Sequence, residues 1–155
     1  MIIDCAIETD WWAPQDHLER IAIRAVKTAI SNLDQTFSDE TELSLLFADD
    51  ALVQDLNFQW RQINRPTNVL SFAAREAGGP ETPVLGDIVL ARETIEREAA
   101  QQDKSRDDHL SHLIVHGFLH LIGFDHESDA EAADMESLET RILDDLGIAD
   151  PYMSA

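Results

Sequence analysis

Cysteine is nearly absent from this chain of 155 residues: Cys5 stands alone. One thiol cannot staple a small fold or complete a cysteine-based metal site, and it fits a reducing cytosol. No neighbour in sequence would activate it, so Cys5 reads as a small apolar residue on a strand. Long apolar runs are missing too, since none approaches the ~20 residues a membrane span needs. The first residues, MIIDCAIETDWW, show no basic start, apolar stretch or small-residue cleavage site. A cytoplasmic protein is expected, with no membrane partner. Repeats, low-complexity tracts and Pro/Gly-rich linkers are lacking, which leaves a single domain over 1–155. Positive charge is scarce: 11 Lys and Arg stand against 31 Asp and Glu, a formal net charge of −20. Phosphate-binding surfaces are usually basic, so the total argues against a nucleic-acid partner, and DNA is not expected.

The distribution of charge says more than its sum. Between Leu56 and Pro80, Arg61, Arg65 and Arg75 face one acid, Glu76. Between Asp125 and Asp150, ten acids face Arg141 alone, which reads as a solvated helix face. Strands are predicted at Ile2–Ile7, Glu42–Ala48, Asn68–Ala73 and Gly86–Ala91. Helices are predicted from Pro14 with apolar positions through Ala29, from Ala51 to Trp60 behind an Asp49 or Asp50 cap, and from Arg92 to Gln101. Another should run from an Asp107 or Asp108 cap to Ile122 and stop at Gly123; the last should span Asp129–Leu146 and end at Gly147. AREAGGPETP is the one clear loop, and the tail after Leu146 carries no functional signal. The fold class expected is α+β: one small mixed sheet of about four strands packed by about five helices.

Five of the six histidines fall within HLSHLIVHGFLHLIGFDH, residues 109–126. His116 and His120 are i and i+4, so on a helix both rings project from one face. Glycine enters the left-handed region cheaply, so Gly123 can end the helix and turn Asp125 and His126 back over that face. Three imidazoles then converge on one cation and leave its fourth tetrahedral position open, the arrangement of a catalytic zinc. One Zn2+ per chain, held by His116, His120 and His126, is the expectation. Histidines at 112, 116 and 120 would span about 12 Å of helix, too far for one ion. His112 is therefore expected to brace its neighbours, and His109 to lie on the surface. The spacing also matches the zinc helix of metzincin proteases, but their glutamate base follows the first histidine, where this chain has Gly117. A peptidase would lack its base.

HGFLHLIGFDH at 116–126, LNFQWRQINRPTNVLSF at 56–72 and LGDIVLA at 85–91 together cover the motifs of a known family. They resemble the H-G-x-L-H-L-x-G-Y-D-H, L-N-x-x-[YW]-R with P-T-D-V-L-S-F, and L-G-D-I blocks of the YbeY family, bacterial rRNA maturation factors that are metal-dependent, single-strand-specific endoribonucleases. Asn68 replaces the family's usual Asp, Ala73 a frequent proline and Phe124 the commoner tyrosine. The resemblance implies 16S rRNA 3′-end processing and ribosome quality control, with single-stranded or precursor rRNA as substrate and ribosomal subunits and assembly proteins as partners. It also implies His116, His120 and His126 as zinc ligands on a zincin-like helix and Arg61 as an activity residue. A guanidinium suits the charge that grows on phosphate oxygens during cleavage. Asp125 is a candidate to orient an imidazole or take a proton. Asp87 reads equally as a turn or a site residue, Asn68 as a polar residue at a strand entry, and Trp60 as a core residue before a base-stacking one. The competing readings are another zinc hydrolase (peptidase or amidase) and a non-catalytic, zinc-braced assembly factor.

Overall fold

Strand β1 (Ile2–Ile7) and strand β2 (Glu42–Ala48) form where the sequence predicts them, pairing in parallel from Ile2↔Glu42 to Ile7↔Phe47. The computed structural model describes residues 1–8, 10–74, 83–125 and 127–151. Between these strands runs α1 (Gln15–Ser31), which buries Leu18, Ala22, Ala25, Val26 and Ala29 along one stripe. Helix α2 (Asp50–Arg61) starts at Asp49, whose carboxylate accepts from the Leu52 amide and so satisfies an orphan donor. Strand β3 (Val69–Ala73) begins one residue later than predicted, and β4 (Val84–Ala91) two residues earlier. They are followed by α3 (Arg92–Gln101), α4 (Arg106–Leu121) and α5 (Asp129–Asp145). The clear loop of the sequence falls mostly at 75–82, outside the described residues, and Arg75 lies there with it.

The sheet order is β1-β2-β4-β3; β1, β2 and β4 are parallel, and β3 runs antiparallel to β4 at the edge. This is the mixed α+β sheet expected, with five helices among the described residues. Strand β4 is apolar on both faces, as a central strand must be. Its Leu85, Ile88 and Leu90 join the main core with α1, α4 and α5. Val89 and Ala91 join a smaller cluster with Val53 of α2 and Leu70 of β3.

Helix α4 is the spine, buried at nine of its sixteen positions. Its cap is Ser105, whose hydroxyl accepts from the Asp108 amide, in place of the aspartate predicted. Asp107 is occupied elsewhere: it takes Nε2 of His17 at 2.7 Å and Nε1 of Trp12 at 2.9 Å, tying α4 to α1. At the other end Gly123 has φ +105°. Its amide returns to the His120 carbonyl and that of Phe124 to the Leu119 carbonyl, so the helix closes on itself and the chain turns back. Cys5 is half-buried on β1, and burial, followed by Glu19 and Asp4, pushes its thiol up to about 11. It stays protonated at neutral pH, in keeping with a packing role.

Candidate metal centre

Helical spacing puts His116 and His120 on one face of α4, and their Nε2 atoms lie 3.1 Å apart. The ring centroids are 4.6 Å apart with planes at 77°. Two ring nitrogens this close share either a hydrogen or a cation. The tautomer of His116 decides which atom faces the cavity. Glu139 of α5, with no solvent exposure, sets its Oε1 2.6 Å from His116 Nδ1. A carboxylate only accepts, so the proton belongs on Nδ1 and the Nε2 lone pair turns toward His120. The second oxygen of Glu139 meets His112 Nε2 at 3.3 Å. Burial holds His112 below its ordinary pKa, against the opposing pull of Glu139, so it stands as a neutral brace. Two imidazoles with Nε2 atoms side by side, one of them held by a carboxylate at Nδ1, are donors of the kind a zinc ion takes. His126, the third expected ligand, lies outside the described residues.

The pair opens into a cavity of about 460 Å³ whose walls include Arg61, Thr67, Asn68, Ser71 and Asp125. Arg61 ends α2, and its Nη2 donates across the sheet edge to the Ser71 carbonyl at 3.5 Å, long enough to release easily. Asp125 reaches the wall through the Gly123 turn. A larger cavity, about 720 Å³, lies between residues 32–35 and α5; it holds Arg141 but neither ring of the pair, so the smaller one is the candidate site.

Ser71 also donates to the Gly117 carbonyl at 2.9 Å, fastening β3 to α4. A Cβ at 117 would sit 3.0 Å from Ser71 Oγ, 3.1 Å from Ile88 Cγ2 and 3.3 Å from Val69 Cγ2. That position points into the sheet, and the glutamate base of a peptidase would have no room there.

Other expectations fare differently. His109 is buried at 3% exposure, with Nε2 2.9 Å from Glu98 Oε1, so its surface reading is corrected: α3 covers that end of α4. Asn68 stands just before β3 and donates to the same Glu98 oxygen at 3.0 Å. Asp87 lies on β4 opposite Phe72, exposed, so it belongs to the strand and not to a turn. Trp60 is 65% exposed, which overturns its core reading; among the described residues its ring partner is Phe72, 6.3 Å away. Sequence reasoning missed Glu139, which lies in the stretch read as a solvated face. Its signal was periodicity: Met135, Leu138, Glu139, Ile142 and Leu143 form one buried stripe.

The model of the family described as Endoribonuclease YbeY matches residues 6–147. Proteins named Endoribonuclease YbeY from Agrobacterium fabrum and Rhizobium etli are 49% and 50% identical over 157 aligned residues. Those alignments cover 97% of this chain in each case, and 94% and 92% of the relatives. The solution structure of TM1509 from Thermotoga maritima shares the fold, with a TM-score of 0.56 and 19% identity, covering 99% of this chain and 100% of that one. This chain belongs to the YbeY endoribonuclease family.

Proposed function

We propose that the chain is a zinc-dependent endoribonuclease that cleaves single-stranded RNA during rRNA maturation, with His116, His120 and His126 as ligands of one ion. The observation that carries this reading is the 3.1 Å approach of two histidine Nε2 atoms at the wall of a cavity that also holds an arginine. When bound, the ion would supply Lewis acidity to the scissile phosphate and a lowered pKa for water. Glu139 holds the His116 ring in orientation through Nδ1. Arg61 leaves its long bond to Ser71 and pairs with two phosphate oxygens, where charge grows in the transition state. Asp125 on the cavity wall orients an imidazole or accepts the departing proton. The peptidase alternative is disfavoured by the packing at Gly117.

A chain of net charge −20 has little general attraction for phosphate. Arg61 and Arg65, with Arg75 of the clear loop, form the basic stretch, and delivery to rRNA then falls to ribosomal subunits and assembly proteins in the cytoplasm. No described helix is long and apolar enough to cross a bilayer. The deciding experiment is Arg61→Ala assayed on precursor rRNA beside a metal-content measurement. Cleavage should fall roughly 10²–10³-fold with fold and metal content intact. Undiminished processing in Arg61→Ala, with processing and stability lost together in His116→Ala, would instead favour a zinc-braced assembly factor.

A further inference from the structure

Among the described residues five large apolar side chains are well exposed, and three of them, Phe58, Trp60 and Ile63, sit at the end of α2. Phe58 and Trp60 stand two residues apart on the helix and so face different sides, which leaves Trp60 to be read from its own surroundings. Trp60 is the most exposed, at 65%. Its indole lies tilted by 59° at 6.3 Å from Phe72, so one ring backs it while most of its surface stays open. The next residue, Arg61, reaches the carbonyl of Ser71, the neighbour of Phe72. Consecutive residues of α2 thus meet consecutive residues of β3, one offering an aromatic face and the other a guanidinium. Arg61 lines the cavity of His116 and His120, so the indole stands one residue along the helix from a wall of the candidate centre. Arg61 and Arg65 make this end of α2 locally basic on an acidic chain.

We propose that Trp60 is a base-stacking platform: an unpaired nucleobase of the RNA lies on its exposed indole while a neighbouring phosphate meets Arg61. The proposal rests on the endoribonuclease reading and adds the residue that selects an unpaired strand. Bases inside a duplex are stacked on one another and have no face to offer, whereas a single strand can splay a base onto an aromatic ring. Stacking is tolerant of base identity, so Trp60 confers preference for strandedness without fixing sequence. Charge favours RNA over an apolar protein partner, because a guanidinium adjoins the indole and the cavity beside it.

The test uses the full, metal-loaded chain and a 2′-O-methyl single-stranded oligonucleotide, which resists attack by its own hydroxyls. Trp60→Ala should weaken binding about tenfold or more, and Trp60→Phe by less than about threefold, because phenylalanine keeps a stacking face. An abasic site walked along the oligonucleotide should find one position whose loss is not additive with Trp60→Ala. Equal affinity of wild type and Trp60→Ala, or additivity at every position, overturns the proposal. So does a Trp60→Ala chain that changes oligomeric state or loses a protein partner while holding the oligonucleotide unchanged. If wild type neither binds nor cleaves any single strand, the endoribonuclease reading itself has failed; if it cleaves and Trp60→Ala matches it, only the stacking role has.

Discussion

Each end of α4 sets a histidine against a glutamate from a neighbouring helix, with different results. Near the start, His109 meets Glu98 of α3 at 2.9 Å, and Asn68 meets the same oxygen at 3.0 Å. Near the finish, His116 meets Glu139 of α5 at 2.6 Å. The distances alone do not tell the pairs apart. The second ring nitrogen does: Nδ1 of His109 is buried without a hydrogen-bond partner among the described residues, whereas Nε2 of His116 faces His120 and the cavity. An imidazole–carboxylate pair is structural when its remaining nitrogen is walled in, and available for chemistry when that nitrogen opens onto a second ligand.

The largest expected effect lies at the finish of the helix. His116→Ala or His120→Ala should abolish stoichiometric metal and lower RNA cleavage roughly 10³-fold or more, checked by elemental analysis and a gel assay. Retention of full metal would dissolve the contrast. A smaller effect separates the two glutamates. Glu139→Gln should weaken metal affinity about 10–100-fold in a competition titration, whereas Glu98→Gln should leave it within about twofold, since distant sites act independently. Equal losses would mean the two pairs do one job.

The smallest effect is on stability at the start of the helix. Glu98→Gln should lower unfolding free energy by about 1.5–3 kcal/mol at pH 7 in urea melts, the range for a bond to a charged partner. Burial on its own would raise the Glu98 carboxyl, but bonds from His109 and Asn68 outweigh it and hold the pKa below its ordinary value. A carboxyl depressed in the folded state stabilises above its unfolded pKa, near 4.5, and that stability vanishes as pH falls through the folded value. The gap between wild type and Glu98→Gln should therefore persist from neutral pH down to the unfolded value and close as pH falls through the lower folded one. A gap that widens in acid would show that Glu98 is not held ionised.

The sequence made the histidine helix α4 plain because its signals are local. A step of four from one histidine to the next and a glycine seven after the first are decided within one helix and its own end, and β1, β2 and α3 were equally readable from short-range patterns. What was not readable depends on what lies across from a residue. Trp60 continues the stripe of Leu52, Val53, Leu56 and Asn57, so periodicity alone assigns it to the core. However, β3 is the edge strand, and among the described residues the ring of Phe72 is the aromatic partner the indole meets, which leaves it 65% exposed. His109 fails in the opposite sense: it lies near the polar start of α4, after Asp107 and Asp108, and Glu98 of α3 meets its ring there. Glu139 sat on a legible apolar stripe, but a carboxylate there becomes intelligible only once the two imidazoles opposite it are known.

Gly117 has a consequence for the breadth of the cavity. With a hydrogen in place of a side chain, it lets the helix rest directly on the strand whose Ser71 forms the opposite wall. A methyl group here would have to push those neighbours away by a few tenths of an ångström, and the rim would move with them. The gauge of the opening is thus governed from behind, by a residue whose own place lies against the sheet.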